Sequence, residues 1–596
     1  MVLIIAIIVN ATVYSYLAIM KYVAMNASVY DLGVSSQLLY YVFHSSLSYN
    51  LTHITFNKLI YIPLAVIYLV YPHPQTVLVL QAFVISAGSY PVYLIARLKF
   101  KNDRTAFMVG LTYLLFYPLY GPLWFDFHFM ALFPTPFLFS FYFYLKGEKG
   151  KSLVFGIIAS ITDLLAPVIV GFFGIYAIVA NRSRNNHVDL KATGFLLLLS
   201  SVVIFVAANL YIGPSYALSF ANNSVFSSTF AFTHTTKLYE AEFFLWLMLP
   251  MLFICIFAPE ILFLILPFAA LAFTNSYFPY VETMFYQYTS LVVAQIFIAF
   301  IFGAERLAKK YGRHGITVKR VVAVVFAFNI FLAALFTPVG AVATGGMSDH
   351  SLNYDLTGNQ NSYPTMVTIT YHQYESGVMK LSSLVPEYSS IIIQDNMPQL
   401  TAGYHWALPD FYPKVKNPEF VITYPYSPAF YSTYFTLDMN YTMLNETNKI
   451  FMPNHYGIVG EDYGEILLER GYTGPVKQFI PINETMHYSA LTQNSNAGKR
   501  SESIVYRTSF LAPGDYEIKS SYPGINTTDT QLRITFNNFN GTSPLPVQTM
   551  NSSPNGTLTA MIQIPYYMMN LEFTLSNNGN GIVPSWLQLV QKTPGK

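Results

Sequence analysis

The sequence predicts an α-helical polytopic membrane domain of about 11 helices, one pair forming a broken hairpin, followed by an α/β domain and a β-sandwich. Three observations predict this. Apolar runs of spanning length recur up to about residue 341 and then stop. The chain is 53% hydrophobic and only 10% charged, with a mean hydropathy of +0.39, which excludes an ordinary soluble globular protein. In the second half Asn, Ser, Thr, Tyr and Pro take over, and short alternating stretches replace the long apolar runs. The boundaries expected from these shifts are 1–345, 346–500 and 501–596. A net charge of +2 leaves no basic footprint for a nucleic-acid partner. Cys255, the only cysteine, lies inside an apolar run, which excludes an intrachain disulfide and a cysteine zinc site.

Charge orders the membrane elements. A crossing helix needs about 20 apolar residues, and cytoplasmic loops carry the Lys/Arg excess. The short basic loops are RLKFKNDR (97–104), KGEKGK (146–151), NRSRNNHVDLK (181–191) and RLAKKYGRHGITVKR (306–320). They hold every Lys and Arg of residues 1–341 except Lys21, Lys58 and Lys237. With these loops inside, the first residues read as a retained span over 2–23 that exits to the outside. The run 56–71 carries Lys58 and Pro63 and is expected as a juxtamembrane or re-entrant segment. Spans follow at 76–96, 105–121 and 129–145, which puts WFDFHF (124–129) outside. The run 152–180 lies between two inside loops and must be a hairpin, broken at Asp163 and Pro167 within ITDLLAP. Spans near 192–212, 242–257, 260–273, 287–305 and 321–341 leave the C-terminal half outside. The protein is thus expected in the plasma membrane, multi-pass, with the bilayer as partner and its C-terminal domains extracytoplasmic.

The C-terminal half carries N-x-S/T at Asn440, Asn445, Asn483, Asn526, Asn540, Asn551 and Asn555. Such sequons are modified only outside the cytoplasm, in keeping with this topology, although Asn-rich sequence also generates them by chance. Residues 346–500 mix strand-like SSIIIQD, EFVITYP and YGIVG with EDYGEILLERGY, read as helical, and so suggest α/β. From about 501, SIVYRTSFLAPGDYEIKSSYPG, QLRITFNNF, GTLTAMIQI, NLEFTLSN and SWLQLVQ alternate between turns, the signature of a jelly-roll-like β-sandwich.

Ionisable groups facing outward near the bilayer are few, and each costs roughly 2.5–3.5 kcal/mol at membrane depth, which makes them functional candidates. The acids are Asp31, Asp126, Asp163 and Glu282, with Glu240 and Glu242 close by. The basic groups are Lys58, Lys237, His44, His53, His73, His128 and His234. Structural roles compete with each. Asp163 suits a helix cap at the hairpin turn, and Asp31 an N-cap for SSQLLYYVFHSSL. Asp126 and His128 suit an interfacial aromatic belt, and Lys58 suits snorkelling to the headgroups. D-x-H at 126–128 supplies two metal ligands, too few for a site.

At YDLG, HITFNKLIYIP, WFDFHF and ITDLL the sequence resembles the polytopic membrane proteins grouped as domain of unknown function 2079. PEYSSIIIQDNMPQLTAGYHWALPDFYP and YGIVGEDYGEILLERGY resemble that family's extracytoplasmic part, so the likeness runs over roughly 20–475. The family is similar in layout to C-type glycosyltransferases, which use polyprenyl-phosphate-linked sugars. The resemblance implies that Asp31 matches the first-loop acid, Asp126 the acid of the next outer loop, and 56–71 a juxtamembrane helix. It further implies that FYQYTS (285–290) brings Gln287 and Tyr288 to the site. The family's charged hairpin cluster is reduced here to Thr162 and Asp163.

The expectation is a glycosyltransferase-like enzyme that moves a sugar from a polyprenyl-phosphate donor to an extracytoplasmic acceptor, a cell-envelope glycan or glycoprotein. Asp31 is its base, with Asp126, His128 and Asp163 as the other catalytic candidates. His53, Lys58, Gln287, Tyr288 and Glu282 are the substrate-binding candidates, and carboxylates suit Mg²⁺ or Mn²⁺ should a cation take part. The alternatives are a non-catalytic membrane-anchored scaffold or glycan-binding protein at the cell surface, and a transporter built on the broken hairpin.

Overall fold

The computed structural model describes residues 1–44, 59–180, 188–212, 234–274, 286–337, 373–407, 418–424, 456–486, 488–489, 505–521, 530–536, 548–552, 557–577, 580–581 and 586–595. It divides into two compact units, Met1–Thr370 and Tyr371–Lys596.

The first unit is helical, with an apolar core and apolar residues on its outer faces as well. Helix α1 (Val2–Val23) buries Tyr14, Leu17 and Lys21 while exposing Ile4, Ile5, Ile8 and Val13. An exposed apolar face of this kind needs a lipid surround. A π-helical turn (Val29–Gly33), α2 (Val34–Tyr41) and α3 (Tyr61–Tyr68) follow. Eight residues of α3 rise about 12 Å, too short to cross a bilayer, as expected of a juxtamembrane piece.

Helices α4 (Pro74–Ala87) and α5 (Ser89–Phe100) run on as one 27-residue span. At their junction a side chain on Gly88 would meet the Tyr113 hydroxyl at 2.3 Å, so glycine is what lets α6 (Asp103–Leu114) pack there. Asn102 caps α6, its side chain accepting from the Thr105 amide at 2.9 Å. A bend of 49° separates α6 from α7 (Tyr120–Trp124). Then come α8 (Pro134–Lys146), closed by Gly147 at φ 75°, α9 (Lys149–Ser160) and α10 (Ala166–Ala180). The break between α9 and α10 holds Asp163, whose Oδ1 accepts from the Leu165 amide at 3.1 Å. That bond is a local one in the break expected at Asp163, just ahead of α10.

Helices α11 (Val188–Ile212), α12 (His234–Met248), α13 (Leu266–Thr274), α14 (Ser290–Tyr311) and α15 (Val318–Phe336) complete the unit. Residues 290–304 of α14 are all buried, which makes it the central post. Among the described residues five helices are long and apolar enough to cross alone, and the bent α6–α7 pair makes a sixth. The spans expected at 242–257 and 260–273 are shorter, irregular pieces, because Leu252 and Phe253 take left-handed backbone and interrupt the run.

The second unit opens with α16 (Gln373–Ser382) and a mixed sheet of β1 (Ser390–Ile392), β2 (His405–Ala407), β3 (Phe420–Thr423), β4 (Tyr456–Asp462), β5 (Glu465–Arg470) and β6 (Lys477–Gln478). Its order is β2-β1-β3-β5-β4-β6. The helical reading of EDYGEILLERGY is corrected here. The segment is the end of β4, a tight turn and β5, because Tyr463 and Gly464 both take positive φ (47° and 91°) and close an antiparallel hairpin. Ile466, Leu467 and Leu468 are all fully buried, and burial on both faces erases the alternation that marks a strand in sequence.

The rest is strand-rich. Strands β7 (Asn483–Met486), β10 (Gly514–Ser521), β13 (Asn551–Ser552), β14 (Thr557–Ile564) and β17 (Trp586–Pro594) form one antiparallel sheet in the order β13-β14-β10-β17-β7. Strands β8 (Tyr488–Ser489), β9 (Val505–Leu511), β11 (Thr530–Phe536), β12 (Gln548–Thr549) and β15 (Met568–Asn577) form another, ordered β12-β11-β15-β9-β8, with β16 (Asn580–Gly581) paired to β15. One apolar cluster draws on both, through Tyr516, Leu558 and Leu587 from the first and Leu511 and Phe573 from the second.

Candidate functional site

Three of the sequence candidates converge where α1 ends, the π turn begins and the WFDFHF segment passes. The Lys21 ammonium lies 2.7 Å from Asp126 Oδ1, and both side chains are nearly sealed, at 3% and 1% exposure. Lys21 also donates to the Trp124 carbonyl at 3.2 Å. Asp126 Oδ2 accepts from the Ser28 amide at 2.5 Å. The Ser28 carbonyl in turn accepts from the Leu32 and Gly33 amides, closing the wide turn that presents Asp31. Asp31 Oδ1 faces His128 Nε2 at 3.1 Å, with Asp31 19% exposed. His128 Nδ1 then sits 2.9 Å from the Asp126 carbonyl and completes a closed circuit of contacts.

The circuit assigns protons. A backbone carbonyl only accepts, so the hydrogen-bond network places the Nδ1 proton on His128. Nε2 then faces a carboxylate oxygen, and that contact requires one proton between them. With it on the ring, the pair is imidazolium and carboxylate; with it on Asp31, it is neutral. Either way, Asp31 is the partly exposed acid of the group and Asp126 the sealed one.

Gln81, buried on α4, clamps the same segment from behind. Its Nε2 donates to the Pro122 carbonyl at 2.7 Å, and its Oε1 accepts from the His128 amide at 3.0 Å. In front, Phe125 lies 5.1 Å edge-on from Tyr286 and 5.5 Å from the His128 ring. Gln287 and Tyr288, buried next to Tyr286, therefore adjoin the site, and Thr289 ties their turn to the Pro118 carbonyl at 2.6 Å. Lys21, Ser28, Gln81 and Tyr286 are functional neighbours that sequence reasoning passed over. Lys21 alone left a signal, as a lysine near the end of an apolar span.

Asp163 is not brought in by any described contact; its bond is the local one to Leu165. His53, Lys58 and Glu282 lie outside the described residues. His44 bonds the Tyr40 carbonyl at 3.0 Å, and His73 stacks on Tyr71 and meets Tyr22 edge-on. Trp246 donates to Glu242 at 3.2 Å. Of the sequons, Asn483 is exposed in β7 and Asn551 lies in β13, whereas Asn440, Asn445, Asn526, Asn540 and Asn555 lie outside the described residues. Among the described residues no three His, Cys, Asp or Glu side chains converge as a cation site, and Asp126 is already engaged by Lys21 and Ser28. The described side chains therefore do not fit Mg²⁺ or Mn²⁺.

The model of a family described as predicted membrane protein (DUF2079) matches residues 21–402. The chain belongs to this family. The match runs from Lys21 through the whole Asp31–Asp126–His128 circuit past β1, the first strand of the second unit. No curated relative matches the chain. Among solved structures it is similar to ArnT from Cupriavidus metallidurans bound to undecaprenyl phosphate, at 12% identity and a TM-score of 0.43, covering 68% of this chain and 85% of that one. The apo state of the same protein gives 15% identity, a TM-score of 0.44 and coverage of 78% and 97%. The archaeal oligosaccharyltransferase AglB from Archaeoglobus fulgidus, in complex with an inhibitory peptide and a dolichol-phosphate, gives 10%, 0.38 and coverage of 99% and 97%.

Proposed function

We propose that this protein is an integral membrane glycosyltransferase that transfers a sugar from a polyprenyl-phosphate donor to an extracytoplasmic glycan or glycoprotein acceptor. The observation that carries the reading is the partly exposed Asp31 carboxylate, 3.1 Å from His128 Nε2 and beside a sealed Lys21–Asp126 pair. Asp31 takes the proton of an acceptor hydroxyl as its oxygen bonds to the anomeric carbon. The carbon–oxygen bond to the lipid phosphate breaks, and the phosphate leaves with the electron pair. His128, protonated at Nδ1 and sharing a proton at Nε2, orients Asp31 and places positive charge beside the site.

A groove of about 450 Å³ supports a lipid-linked donor. It is lined by Val9, Val13 and Tyr14 of α1, Leu111 of α6, and Phe326 and Ala333 of α15. Tyr14 lies seven residues before Lys21, two turns or roughly 10 Å down the same helix face. The groove's largely apolar walls suit a long hydrocarbon tail.

In this reading the site faces outward. The Lys99–Glu305 pair at 3.5 Å brings two of the basic loops together, and Asp103 starts the bent pair whose far end reaches Trp124. The site is therefore at the end of that pair opposite the basic loops. The plasma membrane, extracytoplasmic C-terminal domains with a β-sandwich, and glycosylation at exposed Asn483 complete the proposal.

The test is sugar transfer from labelled polyprenyl-phosphate donors by the protein reconstituted in liposomes. Asp31→Asn should cut turnover by about 10²–10⁴-fold with the thermal midpoint unchanged. Turnover at the native rate in that variant rejects the reading.

A further inference from the structure

The second unit carries a cleft of about 860 Å³ that the transfer reaction does not use. It lies between the start of β4, the Gly471–Val476 turn after β5, and the Thr593–Gly595 end of β17. Its volume falls within the range of small-molecule sites, roughly 300–1,000 Å³.

Its chemistry is specific. Among the described residues no Asp, Glu, Lys, Arg or His lines it. The hydroxyls of its two tyrosines are spent inside the fold, Tyr456 donating to the Pro418 carbonyl at 2.5 Å and Tyr472 to the Pro475 carbonyl at 2.8 Å. The rings thus serve as apolar walls rather than polar handles. Glycines let Tyr472 and its turn pack closely against β4. A side chain on Gly457 would sit 2.1 Å from the Tyr472 carbonyl, and one on Gly474 would sit 2.7 Å from the Tyr472 ring. Gly471, Thr473 and Gly474 are exposed, so the turn brings peptide groups and the Thr473 hydroxyl to the mouth. Opposite them Thr593 is held by its bond to Asp515 at 2.6 Å.

A charged ligand entering this lining would lose hydration and find no counter-charge. A purely apolar one would leave the peptide and hydroxyl groups unpaired. A ligand with C–H faces for the rings and neutral hydroxyls for the turn satisfies both sets of walls. We propose that this cleft binds a short neutral carbohydrate, independently of the membrane site.

Saturation-transfer NMR on the full chain in a sugar-free detergent tests this, with chitotriose, maltotriose and mannotriose as probes. Trigalacturonate and a proline-rich hexapeptide serve as comparisons. At least one neutral triose should bind, and Tyr472→Ala and Thr473→Trp should each weaken it by about tenfold or more. Thr473 is exposed, so Thr473→Trp should keep the native thermal midpoint while filling the mouth. Asp31→Asn should bind as the native chain does, which separates this site from the transferase reading. Binding of none of the three trioses, unchanged affinity in both cleft variants, or binding of the acidic triose or the peptide in their place overturns the proposal.

Discussion

Asp31 and Asp126 are both acids beside His128, and exposure separates their work. Asp126 is sealed against Lys21 and anchors the segment, while Asp31 stays partly exposed and in the proposed reaction is the acid that meets the acceptor. Breaking a buried pair leaves an uncompensated charge and typically costs about 3–5 kcal/mol. Lys21→Met should therefore lower the thermal midpoint sharply in detergent, and Lys21→Met with Asp126→Leu should recover most of the loss. A second residue-scale prediction concerns Glu461, fully buried in β4 next to buried Asp462. Burial pushes its carboxyl up to about 8; the bond from Gln591 opposes this and the Asp462 charge adds to it. The folded state then holds a proton that the unfolded chain, at about 4.5, has released. The contribution is complete below pH 4.5 and is lost as pH rises toward 8, at up to about 1.4 kcal/mol per pH unit. Glu461→Gln keeps an acceptor for Gln591 and should flatten that part of the pH–stability curve, read by thermal melts from pH 5 to 8.

Between residue and fold, the elements that matter are the irregular ones. The π turn at Val29–Gly33 and the bent α6–α7 pair both depart from a straight helix, and both end at the site. Such interruptions re-aim side chains that a regular helix would carry past the pocket. The straight elements are held by close approach, and Gly88 tests this. Any Cβ there meets the Tyr113 hydroxyl at 2.3 Å and the Thr135 hydroxyl at 2.9 Å, and Tyr113 is fully buried with nowhere to move. Gly88→Ala should cost about 1–3 kcal/mol by overpacking, seen as a lower midpoint, and Gly88→Ala with Tyr113→Leu should regain part of it.

Across the whole molecule, the proposed orientation is open to a labelling test. Cys255 is the only cysteine and is buried, so Cys255→Ala provides a thiol-free background. In it, Thr473→Cys should react with an impermeant maleimide on intact cells, and Arg313→Cys only after permeabilisation. Both positions are exposed, so a failure to label is a statement about sidedness. The reversed pattern rejects the outward-facing reading.

Hydropathy and loop charge are sufficient to find the helical first unit, the helix break at Asp163, the short piece before residue 71 and the strand-rich end. These features repeat along the chain, and a periodic signal needs no partner to be read. The sequence also marked Asp31, Asp126 and His128, because polar groups are conspicuous among apolar ones. It did not show that Lys21 neutralises Asp126, that Gln81 clamps the segment, or that Asp31 alone of the two acids is partly exposed. Those facts are contacts between residues about 50 to 100 positions apart, as with Lys21 to Trp124 and Gln81 to His128. The β4–β5 hairpin was misread for a related reason, since burial on both faces removes the alternation that distinguishes strand from helix. Local chemistry is written along the chain, whereas the division of labour between two similar acids depends on which one the fold seals from water.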